Sequence, residues 1–170
     1  MLTIRKIKKS DTNNILKWRN SKLVMSFFID RRPLTKEQHY NWLETKVKAG
    51  EVAQFIASED GVDFASVYFR NIDKQNNKAE FGIFIGEENF LGKGYGKKIS
   101  RLAINYAFDE LKLNKVYARV LKYNKASYNM FLKLGFHKDA TLRKDVLING
   151  KYYDVYILSV LENEWRKNEE

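Results

Sequence analysis

The chain has 170 residues, 44% of them hydrophobic, and a formal net charge of +10. That length suits one continuous core, so residues 1–170 are expected to form a single domain. The absence of cysteine excludes disulfides and a thiolate nucleophile, and two histidines, His39 and His137, are too few for a zinc site, so no metal is expected. No apolar run nears the roughly 20 residues that span a bilayer, and the amino terminus lacks the apolar stretch of a signal peptide; a cytoplasmic location and no membrane partner are expected. The positive residues are spread from Arg5 to Arg166, which describes a solvated basic surface more than a nucleic-acid-binding arm.

Taken in order, Leu2 to Ile7 reads as a short strand, and Ser10 or Asp11 caps a helix running to about Arg19. Thr35-Lys36-Glu37-Gln38 is a capping box opening a second helix, with His39, Trp42, Leu43, Lys46 and Val47 on one face and Gly50 as its stop. Trp18 and Trp42 are expected to pack in the core. Val52 to Ala57 and Val62 to Phe69 read as strands joined by a tight turn at Asp60-Gly61, followed by a polar loop from Arg70 to Asn77. Ala79 to Ile85 is a buried strand bounded by polar residues and Gly86. After Gly96 the spacing of Ile99, Leu102, Ala103, Tyr106 and Leu111 becomes helical. Lys115 to Leu121 is another strand, and Asn124-Lys125-Ala126-Ser127 opens a short helix ending at Lys133-Leu134-Gly135-Phe136. Thr141 to Ile148 and Lys151 to Leu158 flank Asn149-Gly150, the strongest hairpin signal, and Glu162 to Trp165 begins a terminal helix.

Gly92, Gly94 and Gly96 let the backbone turn sharply, so that successive N–H groups converge on the positive end of a helix dipole. Lys93, Lys97 and Lys98 add mobile charge around that hollow, which suits a diphosphate. Neither common phosphate fingerprint fits. The dinucleotide motif needs glycine where Lys97 stands, and the ATP loop needs glycine at Leu91 and Ser or Thr at Lys98. On composition alone, the stretch equally describes a loop that ends a strand.

The x-x-G-x-G pattern after a strand, then Asn-x-x-Ser at Asn124 to Ser127 and Leu-Gly-Phe at Leu134 to Phe136, resembles the acetyl-CoA-binding core of the GNAT N-acetyltransferases. Within them it is most similar to the branch holding ribosomal-protein alanine N-acetyltransferases and spermidine N-acetyltransferases. The resemblance runs from Leu2 to Trp165 and is strongest over Lys78 to Phe136. It implies an α+β, GNAT-like fold, a mixed and mostly antiparallel twisted sheet of about seven strands flanked by about four helices. It implies acetyl-CoA as cosubstrate, with Gly92, Lys93, Gly94, Tyr95, Gly96 and Lys97 around the diphosphate, and Asn124 with the main chain of Ile83, Phe84 and Ile85 along the pantetheine arm. Glu80 matches the carboxylate that takes the amine proton, and Ser127 matches the serine of the branch that lacks the usual tyrosine acid. Phe131 stands at that tyrosine position and Leu91 at a usual Arg or Gln, while Tyr128 would project elsewhere. The resemblance places Arg19, His39 and Met25 to Arg32 on the acceptor wall.

The acceptor stays open among a protein or peptide α-amine, a polyamine and a small amino sugar carried on a nucleotide. Trp18-Arg19-Asn20 followed by His39-x-x-Trp42 is similar to enzymes of the last kind. A monomer or homodimer is expected. Two other readings compete: a basic nucleic-acid-binding domain using lysines on phosphates and tyrosines for stacking, and a homologue that binds CoA without catalysis.

Overall fold

The computed structural model describes residues 1–167. Its strands are β1 (Leu2–Lys6), β2 (Ala53–Glu59), β3 (Val62–Asp73), β4 (Lys78–Ile85), β5 (Lys115–Leu121), β6 (His137–Ile148) and β7 (Lys151–Leu161). They form one sheet in the order β1-β2-β3-β4-β5-β7-β6. Every neighbouring pair is antiparallel except β4 and β5, which are parallel and joined by a helical crossover. Among the described residues the helices are α1 (Thr12–Arg19), α2 (Lys22–Met25), α3 (Lys36–Trp42), α4 (Tyr95–Asp109), α5 (Lys125–Lys133) and α6 (Glu162–Lys167). This is the expected α+β architecture, with six helical segments in place of about four.

Alternation along β4 divides the core between the two faces of the sheet. Ala79 and Phe81 join the larger cluster, filled by Ile99, Ala103, Ile104 and Ala107 of α4, Phe131 of α5 and Trp165 of α6. Phe84 faces the other way, into a smaller cluster with Ile15 and Trp18 of α1 and Val24 of α2.

One irregularity of the sheet makes room for a ligand. β4 and β5 pair only at Lys78↔Lys115, Ala79↔Val116 and Glu80↔Tyr117. Beyond that point β4 stays with β3 as far as Ile85↔Ala65, while β5 stays with β7 as far as Leu121↔Val155. The two strands therefore diverge from Phe81 and Ala118 onward, opening a wedge in the middle of the sheet. The side of β4 that faces the wedge has no ladder partner, so its main-chain groups are left for something else to satisfy.

Several boundaries differ from the sequence reading. The capping box at Thr35 is present, with Gln38 N donating to Thr35 Oγ1 and Thr35 N donating to Gln38 Oε1. The helix it opens is shorter than expected, however, ending at Trp42 and passing into a π-helical turn over Leu43–Val47 before Gly50. β3 runs through Asp73, where a polar loop was expected, because Arg70 pairs with Glu80 across the ladder and a bulge lies between Arg70 and Asp73. Within that bulge Asn71 has a φ of +52°. β6 begins at His137, before the expected Thr141, and β7 runs on to Leu161.

Candidate active site

Three parts of the chain meet at the wedge and enclose a cavity of about 800 Å³. The first is the parted edge itself, Phe81 to Ile85 on β4 and Ala118 to Leu121 on β5. The second is the start of α5, with Asn124, Ser127 and Phe131, together with Leu91 and Gly96 beside α4. The third is a wall on the opposite side of the sheet, made by Arg19, Phe28, His39, Gln54, Tyr68 and Arg70.

The glycine-rich loop stands at the mouth of this cavity. Gly92 and Gly94 have φ of +70° and +78°, the left-handed region in which glycine is free of strain, and Gly94 is the N-cap of α4. No side chain caps that helix and its first turn holds no acid. A Cβ placed at Gly92 or Gly94 would meet nothing within 4 Å. Positive φ, uncapped amides and open space combine into a cradle of main chain, with Lys93, Lys97 and Lys98 exposed around it. A phosphate-bearing cosubstrate such as acetyl-CoA fits this cradle. Tyr95 is anchored by its ring against Phe64 and Phe90, at 5.1 and 5.4 Å between centroids, so it offers the loop main chain rather than a side chain.

α5 begins with a side-chain cap, in which Asn124 Oδ1 accepts from Ser127 N at 3.1 Å. Asn124 thereby fixes the first turn of α5 and with it the position of Ser127, which is half-buried on the cavity wall. Phe131, one turn further on, is buried edge-to-face against Phe81. Tyr128 points away from the cavity and packs on Tyr156 at 5.0 Å.

Glu80 sits at the apex where the strands part, almost fully buried. Its Oε1 accepts from Arg70 Nη2 at 2.6 Å, and its Oε2 accepts from Asn71 Nδ2 at 3.0 Å. The β3 bulge is what turns Asn71 toward it. Burial disfavours the charge of Arg70, but the Glu80 carboxylate outweighs this and raises the guanidinium pKa. Each carboxylate oxygen keeps a second lone pair, so the pair leaves Glu80 able to accept from a water.

His39 is buried, and its tautomer follows from its partner. Thr12 Oγ1 donates its one proton to the Lys9 carbonyl at 2.8 Å, so it must accept from His39 Nδ1, 3.0 Å away. The proton is thus on Nδ1, and Nε2 is left as a buried acceptor with no partner. Burial also lowers the His39 pKa, with Asp11 opposing it. Beside it a buried polar chain runs from Trp42 Nε1 to Gln54 Oε1 and from Gln54 Nε2 to Ser66 Oγ, at 3.2 and 3.1 Å.

Arg19 completes the wall. Its guanidinium lies 3.7 Å over the Phe28 ring, its Nη2 makes one long bond of 3.4 Å to the Asp30 carbonyl, and its Nη1 is buried without a partner. Burial lowers its pKa, Tyr68 and Asp30 oppose that, and Arg70 adds to it.

The structure thus gathers Arg19, His39, Glu80, Ile83, Phe84, Ile85, Gly96, Asn124 and Ser127 around one cavity. Gly92, Lys93, Gly94, Tyr95 and Lys97 lie on the loop beside it rather than on its wall. Sequence reasoning missed Tyr68, Arg70 and the two glycines that let the wall close. A Cβ on Gly82 would stand 2.2 Å from the Tyr68 ring, and one on Gly86 would stand 2.0 Å from the Trp18 ring. Glycine within or just after a buried strand is itself a signal of close approach. Among the described residues no cluster of His, Cys, Asp or Glu is arranged to hold a metal ion.

A family model described as an acetyltransferase (GNAT) domain matches residues 1–137. The uncharacterized N-acetyltransferase p20 of Bacillus licheniformis is 28% identical over 171 residues, covering 96% of this chain and 94% of that protein. The putative ribosomal N-acetyltransferase YdaF of Bacillus subtilis is 35% identical over 106 residues, 62% of this chain and 57% of that one. Among solved structures, spermidine N-acetyltransferase from Vibrio cholerae in complex with CoA and spermine superposes with a TM-score of 0.91 over 97% of this chain and 98% of that chain, at 23% identity. That last likeness concerns the fold.

Proposed function

The chain belongs to the GNAT acetyltransferase family and is an N-acetyltransferase, and from that premise we propose that it moves an acetyl group from acetyl-CoA to a primary amine by direct attack in a ternary complex. The observation that carries the reading is the parting of β4 from β5 beyond Glu80↔Tyr117, beside an uncapped, glycine-cradled helix N-terminus. Acetyl-CoA, when bound, supplies the acetyl thioester. In this reading, Gly92 to Lys97 hold its diphosphate with main-chain N–H groups and lysine charge. The unpaired edge of Ile83 to Ile85, with Asn124, aligns the pantetheine arm. Phe84 N–H is turned into the β3 ladder opposite Ser66, so the main-chain N–H of Ile85, on the free side of β4, is the one that polarises the thioester carbonyl.

Two proton movements complete the chemistry. Glu80 draws the proton from the amine through a water, and Ser127 Oγ delivers one to the leaving sulfur. Ser127 is the side chain at the start of α5 that both lines the cavity and can give up a proton, since Phe131 cannot and Tyr128 faces away. Arg19 and His39 contact the acceptor. Residues 1–170 act as one domain, a reading supported by the single sheet that runs from Leu2 to Leu161. A cytoplasmic monomer or homodimer belongs to the same proposal; among the described residues no helix is long and apolar enough to cross a membrane.

Thermal-shift measurements test the cosubstrate, because a ligand that binds only the folded chain raises its melting temperature. Acetyl-CoA and CoA should stabilise the protein and an unrelated nucleotide should not; the reverse pattern, with salt-sensitive RNA binding, would point to a nucleic-acid-binding domain. Thiol release across a panel of amines then separates a working enzyme from a homologue that only binds CoA.

A further inference from the structure

The acceptor side of the cavity has an unbalanced charge. Three arginines line the cavity as a whole, and two are already matched: Arg70 by Glu80 at 2.6 Å and Arg119 by Asp145 at 2.6 Å. Arg19 has no carboxylate partner among the described residues. Two carboxylates line the same cavity, and both are taken, Glu80 by Arg70 and Asn71 and Asp30 by the fork of Arg32 at 2.7 to 3.3 Å. Of the three, Arg19 is thus the one with no carboxylate in contact, and the Asp30 carboxylate acts on it only through space.

That cation is built in rather than incidental. Stacking on Phe28 fixes the plane of the guanidinium, the cavity wall strips much of its water, and one of its donors is buried with nothing to bond to. Arg70 Nε on the same wall is also buried without a partner, but Arg70 already holds a carboxylate, so Arg19 is the guanidinium left to bind an oxyanion of the ligand.

We propose that the acceptor is a small amine carrying a carboxylate or a phosphate, which docks on Arg19, and that polyamines are poor substrates of this chain. The proposal rests on the acetyltransferase reading above. An extended polycation would set two or more charges against a wall whose carboxylates are already bound, whereas an anionic amine neutralises Arg19 and leaves its amino group toward Glu80.

Matched acceptors test this in the same assay. Thiol release is followed with glucosamine 6-phosphate against glucosamine, with 4-aminobutyrate against its amide, and with spermidine. At least one anionic member should exceed both its neutral counterpart and spermidine by about tenfold or more in kcat/KM, and the pair that does so tells phosphate from carboxylate. Arg19→Gln should bring that ratio close to one, and Arg19→Lys should restore part of it. Melting shifts of the CoA-bound protein with the same amines give the comparison for members that do not turn over. Spermidine or a neutral amine matching the anionic one in both assays overturns the proposal, as does an anionic preference that survives Arg19→Gln. A protein stabilised by acetyl-CoA that prefers spermidine loses only this inference; one that acetyl-CoA does not stabilise loses the acetyltransferase reading with it.

Discussion

The loop at Gly92 to Lys97 and the wall around Arg19 both present positive charge to one cavity, and they are built in opposite ways. The loop keeps its lysines in water and relies on main-chain amides, so its charge needs no partner inside the protein. The wall half-buries Arg19 and Arg70, pairs Arg70 with the buried Glu80, and is closed by ring packing against Gly82 and Gly86. An exposed site of main chain should tolerate changes of side chain and fail on changes of backbone. A desolvated site of side chains should behave the other way round.

The sharpest way to break the contrast is Arg70→Met, which leaves Glu80 buried with only Asn71 as donor. Removing one partner of a buried pair is costly, here about 3 kcal/mol, read as a lower urea midpoint. A variant as stable as the parent would show that the wall is not held by this pair. Next, Gly86→Ala forces a methyl group into the Trp18 ring, whose Nε1 is tied to Glu87 at 2.7 Å, and should cost about 2 kcal/mol. Its counterpart in the loop, Gly94→Ala, meets no neighbour and should cost about 1 kcal/mol for the left-handed φ. That loop variant should nevertheless weaken acetyl-CoA binding by about tenfold, because the strained turn re-aims its amides.

His39 sharpens the contrast through pH. Burial lowers the folded pKa of His39 below its ordinary 6.5, so the unfolded chain takes up the proton first. Stability should therefore be full above about pH 6.5 and fall below it, by at most about 1.4 kcal/mol per pH unit. His39→Gln should flatten that slope between pH 7 and 5.5. The smallest effect belongs to the loop: Lys97→Ala should weaken acetyl-CoA binding about threefold at low salt, and the difference should vanish at high salt.

The same contrast explains what could be read in advance. The loop was legible because it depends on residues close in sequence: Gly92, Gly94 and Gly96 set a turn, and the period changes at once into a helix. The strands β4 and β5 and the cap at Asn124 were legible for the same local reason. The wall was not, because its pairs lie across the sheet. Arg70 meets Glu80 because β3 runs past Phe69, and Asn71 reaches it from the bulge that follows, a stretch whose polarity reads as a loop. The proton on His39 Nδ1 depends on Thr12, 27 positions away and on another helix. Gly82 and Gly86 could have been noticed as glycines along a buried strand, although nothing local says that Tyr68 and Trp18 are the rings that need the space.

Residue-resolved amide hydrogen exchange, with and without acetyl-CoA, tests the central claim most directly. If main chain holds the diphosphate, the amides of residues 92–97 should gain strong protection together with those of Ile83 and Ile85, while the β6–β7 hairpin around Asn149-Gly150 stays as it was. Acetyl-CoA binding that leaves the exchange of residues 92–97 unchanged would contradict the account.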